Sequence, residues 1–307
     1  MTARSAGDDA PSSRSVPWAE LRAALDAVGF RPKKTLGQNL LVDGNAARSI
    51  ALDAQVGPGD RVLEVGTGAG ALTRHLVDLE VELVAVEIDA RLLELARSRI
   101  GDRGHVRWLC ADVLAGKHAL APAVRALLPA AGAWHVVSNL PYSIAAPLLA
   151  VLARLENPPA SMTVLVQAEV AERIAASPGG SSWGALPARL ALRYRRGLGR
   201  EVGAQLFWPR PRVASRVARL DLDPVPGLTA VDLGAYDRLV EGLFQRRRKQ
   251  LLSALTGVLG SREAAAGAIA RTDLDPRMRP EELDPALLLG LARNLETSVR
   301  GPKTGQV

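Results

Sequence analysis

Asn139, Pro141 and Tyr142 are the residue types in this sequence best suited to handling a flat base that carries an exocyclic amine. A carboxamide accepts a hydrogen bond from an amine, a proline offers a carbonyl without an N–H, and a tyrosine ring offers a stacking face. They fall in Asn139-Leu140-Pro141-Tyr142, where the apolar run Trp134-His135-Val136-Val137 gives way to a helical pattern beginning near Ile144. In an open α/β sheet, ligands sit at the carboxyl ends of the strands, which is where this cluster falls. The same four residues also suit an ordinary strand–turn–helix connection.

A second constellation lies upstream. Arg61–Val65 reads as a buried strand running into Gly66-Thr67-Gly68-Ala69-Gly70, and Leu72–Leu79 continues as a helix. Glycines let a backbone approach a ligand, and the following helix N-terminus offers free N–H groups. Val81–Val86 is the next strand, ending at Glu87, whose carboxylate falls about twenty residues past the glycines, where ribose hydroxyls are bound. The turn alone fits a dinucleotide as well as S-adenosylmethionine. Three features favour the methyl donor: Glu64 before the glycines, Asp112 after the third strand (Val106–Cys110), and Asn139 beside an aromatic after the fourth. Other chemistries are poorly supplied. His75, His105, His118 and His135 are scattered without ligand spacing and Cys110 is the single cysteine, so no metal site is expected. Neither a Gly-x-Ser-x-Gly elbow nor a phosphate-loop lysine occurs.

The elements that must position these residues follow from periodicity. Helices are predicted over Trp18–Val28, Asn45–Leu52, Arg91–Ile100, Gln167–Ala176 and Trp183–Tyr194, and strands over Trp134–Val137 and Met162–Val166. Two late strands, Leu198–Val202 and Val213–Leu222, flank Phe207-Trp208-Pro209-Arg210-Pro211-Arg212. Strands alternating with helices, then strands joined without them, predict an α/β fold whose mostly parallel sheet has an antiparallel edge. Pro224–Gly227 reads as a linker, and Leu239–Leu259, Arg262–Ile269 and Pro285–Leu295 as helices of a smaller domain. The expected division is a tail at 1–16, an α/β domain at 17–223, a helical domain at 224–300 and a tail at 301–307.

A chain of 307 residues with 48% hydrophobic side chains can bury a sizeable core. Its net charge of +7 points to a polyanionic partner. Arg31, Lys33, Lys34, Arg210, Arg212 and the run Arg246-Arg247-Arg248-Lys249 are the candidate phosphate contacts. One cysteine fits a reducing compartment. The longest stretch without Asp, Glu, Lys or Arg, 126–153, is broken by prolines, so a membrane span is not expected. With no signal-peptide pattern at its start, a cytoplasmic location is expected.

Taken in order, the motifs resemble the KsgA-type ribosomal RNA adenine dimethyltransferases, which share a fold with the erythromycin-resistance rRNA methylases. The series is Leu36-Gly37-Gln38-Asn39, Val62 to Gly68, Val86-Glu87-Ile88-Asp89, Asp112, Asn139 to Tyr142, Gln167 to Arg173, Phe207 to Val213 and Phe244 to Lys249. The resemblance implies a Rossmann-like S-adenosylmethionine-dependent methyltransferase sheet with a small C-terminal helical domain. It implies that Asn39, Leu41 and Gly66 line the methionine end of the donor, that Glu87 takes the ribose and Asp112 the adenine, and that Asn139 lies between donor and target amine. Tyr142, with Phe207 as a second candidate, would stack on the target adenine. The implied reaction is N6-dimethylation of two adjacent adenosines in the 3′-terminal hairpin of 16S (small-subunit) rRNA; small-subunit rRNA or a 30S ribosomal precursor is the expected partner, and a monomer the default state. The sequence departs from the family pattern at Ser143, where asparagine is common, at Leu40 in place of phenylalanine, and at Ala168 in place of a basic residue.

Overall fold

Apolar runs without polar alternation need cover on both faces, and amphipathic helices between them supply it. The computed structural model describes residues 17–33, 37–116 and 118–299 of the chain. The two expected tails, and Lys34 and Leu36 of the N-terminal motif region, lie outside the described residues. The strands are β1 (Leu40–Leu41), β2 (Arg61–Val65), β3 (Glu82–Glu87), β4 (Val106–Cys110), β5 (His135–Asn139), β6 (Ser161–Gln167), β7 (Tyr194–Val202), β8 (Phe207–Trp208) and β9 (Ser215–Leu222). The first six helices are α1 (Trp18–Ala27), α2 (Gly44–Asp53), α3 (Ala71–Asp78), α4 (Ala90–Ile100), α5 (Pro122–Arg125) and α6 (Ala145–Leu152). The others are α7 (Ala168–Ala175), α8 (Ala185–Ala191), α9 (Ala230–Phe244), α10 (Leu251–Leu259), α11 (Arg262–Ala270) and α12 (Pro285–Val299).

Seven strands form one sheet in the order β4-β3-β2-β5-β6-β9-β7. β2 to β6 run parallel, while β9 runs antiparallel to both β6 and β7. The chain winds outward from β2 to β4, then crosses back to place β5 on the other side of β2. Strand order therefore reverses between β2 and β5, the place where a crevice opens in such sheets. One face packs Leu63, Val136 and Val164 against Leu148 and Leu149 of α6, and the other packs Val62, Leu83 and Val137 against Ile50 of α2 and Leu76 of α3. Leu21 and Leu25 of α1 form a smaller cluster with Phe30, Leu40 and Leu92, which fixes the N-terminal arm beside α4. The helices α9 to α12 have their own core, into which Trp183, Ala188 and Leu192 also pack.

The expected sheet is present, and the structure departs from the sequence reading at four places. The helix predicted over Leu239–Leu259 is two helices, α9 and α10, with Arg246–Lys249 in the turn between them. Leu239, Leu243, Leu251 and Leu255 keep helical spacing across the break and are all buried, so periodicity conceals it. The turn instead lets Leu251 and Leu252 donate their N–H groups to Met278 and Pro276 carbonyls. Second, the helix expected to reach Tyr194 ends at Ala191, and β7 begins at Tyr194 rather than Leu198. Third, β9 begins at Ser215, two residues after the expected Val213. Fourth, β1 and β8 pair as a two-stranded sheet that no sequence pattern foretold, with Leu41 opposite Phe207. Strands of two residues are too short to carry a period.

Candidate active site

The turn after β2 is built around glycines in left-handed conformations. Gly66 has φ +79° and Gly68 φ +55°. A Cβ on Gly66 would come within 3.1 Å of the Pro141 ring, and one on Gly68 within 2.9 Å of Leu40. Gly66 N–H donates to the Val86 carbonyl at 2.8 Å, which ties the turn to β3. Glu87 closes the other side. One of its oxygens accepts from Gly68 N–H at 2.9 Å, and the other from the Ile88 and Asp89 N–H groups at 2.9 and 3.0 Å. Burial raises the Glu87 carboxyl above its usual range, against the opposing pull of those N–H groups. Asp89 caps α4, and the Arg91 guanidinium beside it holds its carboxyl low.

A second group of side chains begins where β5 ends. Asn139 donates its Nδ2 to the Asn39 carbonyl at 3.3 Å, which joins the strand end to the N-terminal arm. Tyr142 is half-buried, and its hydroxyl pairs with Ser215 Oγ at 2.8 Å. Burial raises the phenol above its ordinary value. The cleft between these groups is lined by Asn39, Leu41, Gly66, Glu87, Asn139, Pro141 and Tyr142. A second hollow continues it past Gly66, Glu87 and Pro141 to Ile88 and Asp112. Ile88 is 45% exposed, an apolar side chain offered to the hollow between two carboxylates. Asp112 is exposed, and its Oδ1 accepts from Leu114 N–H at 2.9 Å.

This geometry suits an adenosine sulfonium: a carboxylate for the ribose, an apolar wall and a carboxylate for the base, and a backbone that leaves no room for a Cβ. Comparison with known proteins agrees. The family described as ribosomal RNA adenine dimethylase matches residues 29–295. The chain belongs to that family. The ribosomal RNA small subunit methyltransferase A of Nocardia farcinica is 38% identical over 282 residues, spanning 89% of this chain and 93% of its own. That of Thermobifida fusca is 36% identical over 280 residues, spanning 90% of this chain and 94% of its own. Among solved structures, a dimethyladenosine transferase from Plasmodium falciparum overlays with a TM-score of 0.67 at 22% identity, covering 85% of this chain and 98% of its own. The 23S rRNA methyltransferase ErmE gives 0.61 at 23% identity, covering 84% and 99%. Both share the Rossmann-like methyltransferase fold. The dimethylase transfers methyl groups from S-adenosylmethionine to rRNA adenine.

Of the residues expected at the dimethylase site, Asn39, Leu41, Gly66, Glu87, Asp112, Asn139, Pro141 and Tyr142 all line the joined cleft. Phe207 does not. It is 4% exposed and packs in the core that holds Leu41 and Val217, because β8 pairs with β1 and turns that ring inward. The expectation that Phe207 stacks on a base is therefore corrected. Ser215 and Ile88 escaped the sequence reading as site residues. Nothing in the sequence links Ser215 to Tyr142, whereas Ile88 stood in view as an apolar residue between two acids.

The expected RNA contacts separate into two kinds. Arg31 is exposed but bonds Asp26 and the Phe30 carbonyl, and Lys33 is exposed. Arg210 and Arg212 are exposed on a loop between β8, paired beside the cleft, and Ser215, bonded to Tyr142. Arg246, Arg248 and Lys249 are exposed. Arg247 is half-buried and donates to the Ser181 and Trp183 carbonyls at 3.1 and 2.9 Å, so it also fastens the loop before α8. Among the described residues no cluster of three or more His, Cys, Asp or Glu could hold a metal ion, and no helix is long and apolar enough to cross a membrane.

Proposed function

We propose that this enzyme adds two methyls to N6 of each of two adjacent adenosines in the 3′-terminal hairpin of small-subunit rRNA, acting as a cytoplasmic monomer on a 30S precursor. In this reading residues 17–223 carry the transfer chemistry and 224–300 hold the RNA. One observation carries it: Asn139 gives its Nδ2 to Asn39, which leaves Oδ1 as the atom that accepts from an amine. The names borne by the full-length relatives support small-subunit rRNA over the 23S substrate of ErmE.

The donor, when bound, supplies a methyl already made electrophilic by its sulfonium. Adenine N6 is a poor nucleophile because its lone pair is delocalised into the ring. Asn139 Oδ1 and the Pro141 carbonyl accept from the two N6–H bonds, turn the lone pair out of the ring plane and stabilise the positive charge that develops on nitrogen. Tyr142, steadied by Ser215, fixes the ring plane by stacking. The base reaches this pocket only when unpaired or swung out. Tyr142 does not serve as a base, since burial keeps its phenol protonated, and the surplus proton leaves to water. After the first transfer N6 retains a single N–H, so one of the two acceptors holds it alone.

The test uses small subunits from cells lacking this modification, purified protein and labelled donor, with the modified positions mapped on the rRNA. Two dimethyladenosines side by side near the 3′ end are expected. Label appearing only in large-subunit rRNA would overturn the assignment.

A further inference from the structure

At the end of the sheet opposite the donor cleft, the starts of β2, β3 and β4 border a hollow of about 580 Å³. Its floor follows from strand register. Val136, Leu63, Val84 and Arg107 stand in one row across β5, β2, β3 and β4, and residues in register on a parallel sheet share a face. Burial fades along that row: Val136 and Leu63 are buried, Val84 is half-buried and Arg107 is exposed. The cause is α5, whose four residues span only about 6 Å and leave the lower half of this face uncovered. Leu127 and Leu128, just past α5, wall one side. Two residues earlier on the same strands, Arg61 and Glu82 continue the face in register, and His105 joins them with its carbonyl accepting from Leu83 N–H. His105 Nε2 is buried with no hydrogen-bond partner among the described residues, although such atoms are nearly always paired. Arg61 and Glu82 approach only to 3.6 Å, too far for a hydrogen bond, so both keep bonding capacity for a ligand.

We propose that this hollow binds a nucleoside monophosphate. Arg61 and Arg107 take the phosphate, since guanidinium forks match its oxygens, and His105 donates to it from Nε2. Glu82 accepts from the ribose hydroxyls, and the base packs on Leu63, Val84, Leu127 and Leu128. Two guanidiniums against one carboxylate leave the hollow cationic before the ligand arrives. Its volume falls within the roughly 300–1,000 Å³ of small-molecule sites. Arg107 breaks the pattern of its strand, because Leu109 on the same face packs toward the core. A cation kept on the core side of a parallel sheet has a use there that a hydrocarbon would not serve. No residue of the hollow lines the donor cleft, which lies at the other ends of β2 and β3.

Calorimetric titration of the full-length protein with adenosine and guanosine 5′-monophosphate tests the site. The donor cleft is first saturated with S-adenosylhomocysteine, the demethylated donor, so that neither nucleotide enters it. Saturable binding of at least one nucleotide is expected, about tenfold or more tighter than inorganic phosphate or the bare nucleoside. Arg107→Ala and His105→Ala are each expected to weaken that binding by about tenfold or more. Val84→Phe, whose ring would fill the hollow, is expected to abolish it. In all three variants S-adenosylhomocysteine affinity is expected to stay within about twofold, because the two sites share no residue. No nucleotide binding to the saturated wild-type protein would overturn the proposal. So would inorganic phosphate binding as tightly as the nucleotide, or wild-type nucleotide affinity in both the Arg107 and His105 variants.

Discussion

In the proposed reading a single carboxamide, that of Asn139, receives the target amine. Replacing it in Asn139→Ala is expected to lower the rate of methyl transfer about 10²–10³-fold, as removal of one charge-stabilising group does. S-adenosylhomocysteine affinity, read by calorimetry, is expected to stay close to wild type. Tyr142 separates into two functions. Tyr142→Phe loses only the bond to Ser215, while Tyr142→Ala would also lose the proposed stacking on the base, worth on the order of 1–3 kcal/mol. Alanine is therefore expected to be the worse substitution in single-turnover assays. Glu64 makes a prediction about stability. Its folded pKa of about 8 stands above the unfolded value of about 4.3, so between them the unfolded chain holds fewer protons and stability falls as pH rises. Thermal melts of Glu64→Gln should show a gain over wild type that is small near pH 5 and grows toward pH 8.

At the scale of elements, the glycine turn is the most constrained feature. Gly66→Ala would place a methyl against Pro141 in a backbone conformation that alanine adopts only under strain, at a cost on the order of 1–3 kcal/mol. Reduced melting temperature together with impaired transfer is expected, since the displaced ring carries the Pro141 carbonyl. This turn, the strand after it and Asn139 to Tyr142 were legible in the sequence because each is a local pattern with a local cause. The break between α9 and α10 was not, since leucines on both sides keep one helical phase and the tertiary bonds to Met278 and Pro276 decide the matter. Phe207 misled for a related reason: an aromatic beside two arginines looks like a stacking platform, and only its pairing across β1 turns it inward. The turn at Arg246–Lys249 yields a prediction of its own. Arg248→Glu with Lys249→Glu should weaken RNA binding and lower its salt dependence, whereas Arg247→Glu should also lower the melting temperature by freeing the loop before α8.

Across the whole molecule, the sheet and the C-terminal helices meet through α8. Trp183 and Leu192 lie before the expected domain boundary at 223 yet are buried in the core of α9 to α12. Ending the chain at 223 would uncover them, each worth on the order of 1.5–3 kcal/mol of burial. Such a fragment is expected to melt at lower temperature and to bind a hydrophobic dye that the full chain excludes. A separate consequence follows from the tight approach of Gly66 to Pro141. Gly66 leaves too little room for a Cβ beside the Pro141 ring, so in the proposed reading the turn that holds the donor and the turn that holds its target are packed as one seam. A pocket widened for a bulkier nucleobase would drag the donor's cradle out of line with it. New substrates for this scaffold are therefore more readily gained by altering how the late helices grasp folded RNA than by recutting the chamber where the bond is made.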